Sequence, residues 1–289
     1  MAWWRRGKQE AAPVKAAQPL RAFARAAQEP EPPLDAATLA QWLWGAGFHV
    51  PGSEEHILEL VKPFALNPAM SMLYIGAGLG GGARAIATKF ATYVTGLERD
   101  EALARRAMEM TTLQGMQKRA PVTVYDPDKL ELRPHSFDAI LARQATHRVA
   151  DKEHLLGVLT PSLKARGHLL ITDFVLEAKT RTGPALDAWR RQLQRPVQLW
   201  TAAQYSECLT RLGMEIRVTE DTSSKLRRLI LAGWAQMTNM VDLHGLPKQH
   251  LRAIVDEAER WVRTIEALDE GALRMYRIYA LAGTGGARQ

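Results

Sequence analysis

Short apolar runs alternate with longer stretches of helical periodicity from residue 35 to near the carboxyl end. The runs near 71–75, 93–97, 121–125, 137–142 and 168–175 predict strands, because each is short, rich in apolar residues and bounded by polar or turn-forming positions. Between them, residues 82–90, 100–115, 152–163 and 201–212 repeat apolar positions at helical spacing. Ahead of the first strand, Asp35 predicts the N-cap of a helix ending at Gly45. Ser53 predicts the N-cap of a second helix, which carries Ile57, Leu58, Leu60 and Val61. After a strand at 214–219, residues 222–269 read as helical, with Pro247 starting the last helix. Leu251, Ile254, Val255, Ala258, Trp261, Val262, Ile265 and Leu268 form one apolar face of that helix. Gly271 stops it, and 272–282 predicts a closing strand. The whole reads as an α/β fold, a doubly wound Rossmann-like sheet of seven strands, with N-terminal helices and a helical insertion (222–269) before the last strand.

The first strand breaks into a dense glycine turn, Gly76-Ala77-Gly78-Leu79-Gly80-Gly81-Gly82, and the second ends on an acid, Glu98. Glycines let backbone turn tightly and come close to a ligand, and the following helix directs free N–H groups at it. A carboxylate at the end of the second strand can accept hydrogen bonds from ribose hydroxyls. The spacing fits two cofactors. Gly76-x-Gly78-x-x-Gly81 satisfies the dinucleotide pattern, and Gly76-x-Gly78-x-Gly80 satisfies that of S-adenosylmethionine (SAM).

Composition narrows the class. No apolar run approaches the ~20 residues of a membrane span. A single cysteine, Cys208, excludes an internal disulfide and a cysteine-rich metal site, so a reducing cytoplasm is the expected compartment. The eight histidines lack metal-ligand spacing, so no metal is expected. The net charge is +7, yet residues 1–28 alone hold Arg5, Arg6, Lys8, Lys15, Arg21 and Arg25 against Glu10. The body is nearly neutral, which argues against nucleic acid as a partner. Residues 1–33, ending Glu29-Pro30-Glu31-Pro32-Pro33, read as a basic flexible tail ahead of a domain spanning 34–289. Their opening, Trp3-Trp4-Arg5-Arg6, suits weak contact with an inner membrane surface.

Two further segments separate the cofactors. Val124-Tyr125-Asp126-Pro127-Asp128 leads to Ser136-Phe137-Asp138-Ala139-Ile140, and Leu163-Lys164-Ala165-Arg166-Gly167 leads to Ile171-Thr172-Asp173-Phe174. In this order with the glycine turn and Glu98, they resemble the class I SAM-dependent methyltransferases. The resemblance is nearest to the small-molecule branch containing sarcosine/dimethylglycine and phosphoethanolamine methyltransferases. It implies SAM as cofactor and a small-molecule methyl acceptor, with N- favoured over O-methylation. It assigns Gly76, Gly78 and Gly80 to the methionine and ribose side of the cofactor, Glu98 to the ribose and Asp126 to the adenine amino group. Arg143 falls beside the methionine moiety. Tyr74 stands where the family usually has an acid, and its hydroxyl is the candidate stand-in.

The acceptor side rests on placement at the cofactor-facing end of the sheet. His147, just past the fourth strand, is the candidate base, and Asp173 the candidate holder of a cationic amine. Arg195, in a segment expected to overhang the pocket, could pair an acidic group on the acceptor, and Trp200 could line the acceptor pocket. Three other readings stay open at this level: a catalytically silent scaffold or regulator, a lipid or quinone methyltransferase at the membrane surface, and a nicotinamide-dependent oxidoreductase.

Overall fold

A computed structural model describes residues 34–179, 182–193, 196–241 and 245–284. Seven strands form one sheet: β1 (Ser71–Ile75), β2 (Tyr93–Glu98), β3 (Val122–Val124), β4 (Phe137–Arg143), β5 (Leu163–Leu176), β6 (Met214–Asp221) and β7 (Leu273–Ala282). Their order is β3-β2-β1-β4-β5-β7-β6. The pairs β1–β2, β1–β4, β2–β3 and β4–β5 are parallel, whereas β7 runs antiparallel to both β5 and β6. Residues 72–75 of β1 are buried, as expected of a central strand covered on both faces.

The chain reverses its sheet order at β1 and β4, so the glycine turn after β1 opens at the switch point where α/β folds bind ligands. On one face lie α1 (Ala36–Trp44), α2 (Glu54–Leu60), α3 (Gly81–Phe90) and the inserted α8 (Ser223–Met240) and α9 (Lys248–Glu270). On the other, α5 (Lys152–Ser162) and α7 (Ala202–Arg211) cover Leu73, Ile75, Ile140, Leu169 and Ile171. The insertion reaches back to the first helix. Trp44 packs edge-on against Trp261, with ring centroids 5.2 Å apart, and lies so close to Gly233 that a Cβ there would sit 2.3 Å from its ring. α4 (Glu101–Leu113) follows β2, its N-cap Asp100 accepting from the N–H groups of Ala102 and Leu103.

Several local expectations need correction. Asp35 caps α1 through the Thr38 N–H, but Ser53 makes no side-chain cap to α2, whose start is favoured by Glu54 and Glu55 in its first turn. Pro247 occupies the N-cap position of α9 rather than its first turn. On α9, Ile254, Trp261 and Leu268 are buried, while Val255 and Val262 are 62% and 52% exposed and leave the apolar face. β5 starts at Leu163, directly after α5, and so begins five residues before the expected strand. A helix that the apolar pattern does not suggest, α6 (Pro184–Gln192), uses Pro184 at its start and buries Leu186 and Trp189. Trp189, packed on Phe174 at 5.3 Å, belongs to the core. Residues 1–33 and Arg195 lie outside the described residues.

Candidate active site

Three backbone positions shape the turn after β1. Gly76, Gly78 and Gly80 all have positive φ (77°, 55° and 77°), the left-handed region that glycine adopts without steric cost. Glu98, at the end of β2, reaches back to the turn. Its Oε2 accepts from the Gly78 N–H at 2.8 Å, and Oε1 accepts from the N–H groups of Arg99 and Asp100 at 2.8 and 3.0 Å. The carboxylate is nearly buried (8% exposed) and held rigidly by three amides. Beside it, the Tyr125 hydroxyl is buried with no hydrogen-bond partner among the described residues. Burial, with Glu98 and Asp173 nearby, pushes that phenol well up against the opposing Arg99, so it remains a donor. Asp126, exposed just past the end of β3, accepts from the Asp128 N–H and pairs with Lys129 at 3.5 Å.

Tyr74 is buried in β1, its hydroxyl 3.5 Å from Arg143 Nη1. Arg143, 4% exposed, also donates from Nη2 to the carbonyl oxygen of Pro51 at 2.5 Å. No carboxylate lies within ion-pair distance of this guanidinium among the described residues. It borders a cavity of about 90 Å³ between the sheet edge and α2 and α8, lined also by Gln144, Thr172, His56, Lys225 and Arg277. Glu220 contributes the acid there and pairs with Arg277 at 2.6 Å. Lys225 pairs with Glu59 at 3.4 Å. Burial, reinforced by Arg143 and Lys225 against Glu59, lowers His56 to about 4, so its imidazole is neutral. The glycine turn itself does not line this cavity.

His147 and Asp173, each expected in a separate role, are partners. The ring Nδ1 lies 2.5 Å from Asp173 Oδ1, and the His147 backbone N–H donates to Oδ2 at 2.9 Å. Asp173 also accepts from Thr146 Oγ1 at 2.5 Å and from the Phe174 N–H at 2.8 Å. With all of these bonds and 1% exposure, the carboxylate orients His147 and is not open to an acceptor's amine. Burial works to raise the Asp173 carboxyl, but His147 and the surrounding hydrogen bonds outweigh it and hold it below the usual range. Because a carboxylate only accepts, Thr146 donates to it, and the Tyr205 hydroxyl, 2.6 Å away, donates to Thr146. The same logic puts the His147 proton on Nδ1. Nε2 then keeps its lone pair, which accepts from Arg148 Nε at 3.3 Å. Phe174 meets the His147 ring edge-on at 5.3 Å.

Trp200 lies outside the cavity by Arg143 and packs instead against Tyr205 at 5.2 Å, with Lys152 Nζ 5.7 Å from its ring. Nothing in the sequence points to Thr146 or Tyr205 as members of this network; Tyr205 sits on α7, far along the chain from the site, and no local pattern marks it.

A seven-stranded sheet with one reversed strand, a glycine turn at its switch point and an acid closing on that turn make up a Rossmann-like fold of the kind found in methyltransferases. Residues 73–169, about a third of the chain, match the family described as a methyltransferase domain. Phosphoethanolamine N-methyltransferase 2 of Caenorhabditis elegans is 30% identical over 133 residues, covering 46% of this chain and 30% of that protein. The glycine/sarcosine/dimethylglycine N-methyltransferase of Actinopolyspora halophila is 29% identical over 177 residues, 60% of this chain and 30% of the relative. The chain thus spans about a third of the length of these curated relatives. Among solved structures, Haemonchus contortus phosphoethanolamine N-methyltransferase 2 in complex with SAM superimposes with a TM-score of 0.76 at 21% identity, over 86% of this chain and 57% of that one. A putative sarcosine dimethylglycine methyltransferase from Galdieria sulphuraria gives 0.66 at 18% identity, over 80% and 85%.

Proposed function

We propose that this chain is a SAM-dependent methyltransferase that methylates the nitrogen of a small-molecule acceptor carrying an acidic group. The observation that carries the reading is the closure of Glu98 onto the Gly78 amide, at the same sheet edge as the His147–Asp173 pair. The residues fit the cofactor. The positive-φ glycines form a turn free of side chains of its own, and Glu98 and the unpartnered Tyr125 hydroxyl supply an acceptor and a donor beside it. Glu98 and Asp126 would hold the ribose and the adenine, and Arg143 the methionine carboxylate or the acceptor's acid. Bound there, SAM supplies a methyl group already activated on a sulfonium.

The protein's own work is then alignment and proton handling. His147 Nε2 takes a proton from the acceptor's ammonium, exposing the nitrogen lone pair, and Asp173 stabilises the imidazolium that results. Arg148, which donates to Nε2 in this structure, has to yield that position to the acceptor. Buried Arg143, which has no carboxylate partner among the described residues whereas Lys225 and Arg277 on the same cavity are paired with Glu59 and Glu220, favours an anionic group on the substrate. The N-methyltransferases among the relatives, whose names include phosphoethanolamine and sarcosine, support this choice. The tail on which a lipid or quinone acceptor rests is outside the described residues, and no helix among those described is long and apolar enough to cross a membrane.

The test is methyl transfer from SAM labelled in its methyl group to phosphoethanolamine, glycine and sarcosine, with ethanolamine, which lacks the acidic group, as control. Label in an acidic amine, and far less in ethanolamine, supports the reading. Transfer to none of them by a chain that binds SAM contradicts it.

A further inference from the structure

The segment between α1 and α2 lies directly on the glycine turn. Gly47, with φ of 82°, accepts through its carbonyl from the Gly81 N–H at 2.9 Å, and its own N–H donates to Gln41 Oε1 at 2.9 Å. Phe48 is buried and anchors the segment in the core. These contacts bring the next residue, His49, over Gly78. A Cβ at Gly78 would fall 1.8 Å from His49 Nδ1 and 2.0 Å from its Cε1. The side-chain space left by that glycine is therefore filled by an imidazole from an earlier part of the chain.

Two features set this ring apart from a packing histidine. No hydrogen bond to either ring nitrogen is found among the described residues, although the ring sits inside a polar turn. The groups that bear on it electrostatically are Glu98 from β2, Arg143 from β4, Arg148 from the turn after β4 and Arg260 from α9. Burial comes first and the three arginines add to it, so that against Glu98 the imidazole is pushed down to about 4 and stays neutral near pH 7. A neutral imidazole offers one donor and one acceptor, and carries no charge that would repel a cationic ligand.

We propose that His49 is a cofactor-binding residue, forming the wall of the cradle above Gly78 and hydrogen-bonding the polar half of SAM through a ring nitrogen. This rests on the reading of the turn as a SAM site. It gives Gly78 a reason beyond backbone freedom: any side chain there would expel the ring.

The experiment is calorimetric titration of SAM into the full chain and into His49→Ala, His49→Phe and His49→Gln, with the melting temperature of each ligand-free protein as the check on folding. Loss of a hydrogen bond to a charged ligand predicts weakening by about tenfold or more in His49→Ala and His49→Phe. His49→Gln, which keeps a donor and an acceptor, stays within about threefold of the unaltered chain. Equal or tighter binding by folded His49→Ala overturns the proposal, because the ring would then only fill or block the turn. Full retention in His49→Phe overturns the hydrogen bond. If the unaltered chain binds no SAM, the reading of the turn itself fails, an outcome distinct from unaltered binding across the series.

Discussion

His147 and Asp173 meet across the ends of β4 and β5, Nδ1 to Oδ1 at 2.5 Å, with the carboxylate also gripping the histidine's own backbone N–H. The two-point contact fixes both the tautomer and the ring plane, which is what a general base requires of its partner. If His147 is that base, His147→Ala lowers kcat by about 10²–10⁴-fold while SAM affinity stays unchanged. Asp173→Asn leaves the ring in place but frees it to take the other tautomer, so kcat falls and the acceptor's KM changes little. Steady-state kinetics with separate SAM titrations distinguish these effects.

Arg143 holds its charge in the interior against backbone carbonyls of Pro51 and Gly52 and the Tyr74 phenol. Replacing it with methionine is expected to raise KM for an acidic acceptor by about tenfold or more. Turnover of a neutral analogue should change far less. A uniform loss across both substrates would mean that Arg143 serves the cofactor or the fold rather than the acceptor.

Stability should fall on acidification well above the carboxylate range. His49 and His56 are both lowered from 6.5 to about 4, in each case chiefly by burial. The unfolded chain therefore binds protons that the folded one refuses between about pH 6.5 and 4. The stability they contribute is present above pH 6.5 and is lost as the pH falls from there through 4. Urea midpoints measured from about pH 7.5 to 4.5 should decline, and the decline should shrink in a His49→Gln, His56→Gln chain. A flat profile over that range would contradict the lowering of these two imidazoles by their surroundings.

Much of the fold is legible in the chain. The alternation of apolar runs with helical periods gives the parallel sheet because central strands are buried on both faces and their residues leave no choice. The glycine turn and Glu98 can be found because backbone conformation and strand-end position are local properties. The contacts between elements cannot. His147 and Asp173 are visible only as separate candidates, since nothing in either segment reports that strand register brings Thr172 opposite Arg143 and so sets the two side chains together. His49 gives no signal at all, because its placement depends on Gly47 docking against Gly81. Val255 and Val262 mislead because α9 buries a narrower stripe than its apolar positions suggest.

Gly78 and His49 should be energetically coupled. Gly78→Ala inserts a Cβ into the ring at a backbone φ of 55° and is expected to destabilise the chain by about 1–3 kcal/mol. In a His49→Ala background part of that cost disappears, leaving only the conformational penalty of alanine in the left-handed region. Denaturant unfolding of the four chains gives the coupling as a double-mutant cycle. Strict additivity would show that the two residues do not touch in solution.

The assignment of SAM to the turn closed by Glu98 stands or falls on a calorimetric titration of the chain with SAM, repeated with Glu98→Ala and, as a control, with NADH. Saturable SAM binding is expected, with a loss of at least about tenfold in affinity when Glu98 is removed and no binding of NADH. Absence of SAM binding, or binding indifferent to Glu98, would contradict the assignment.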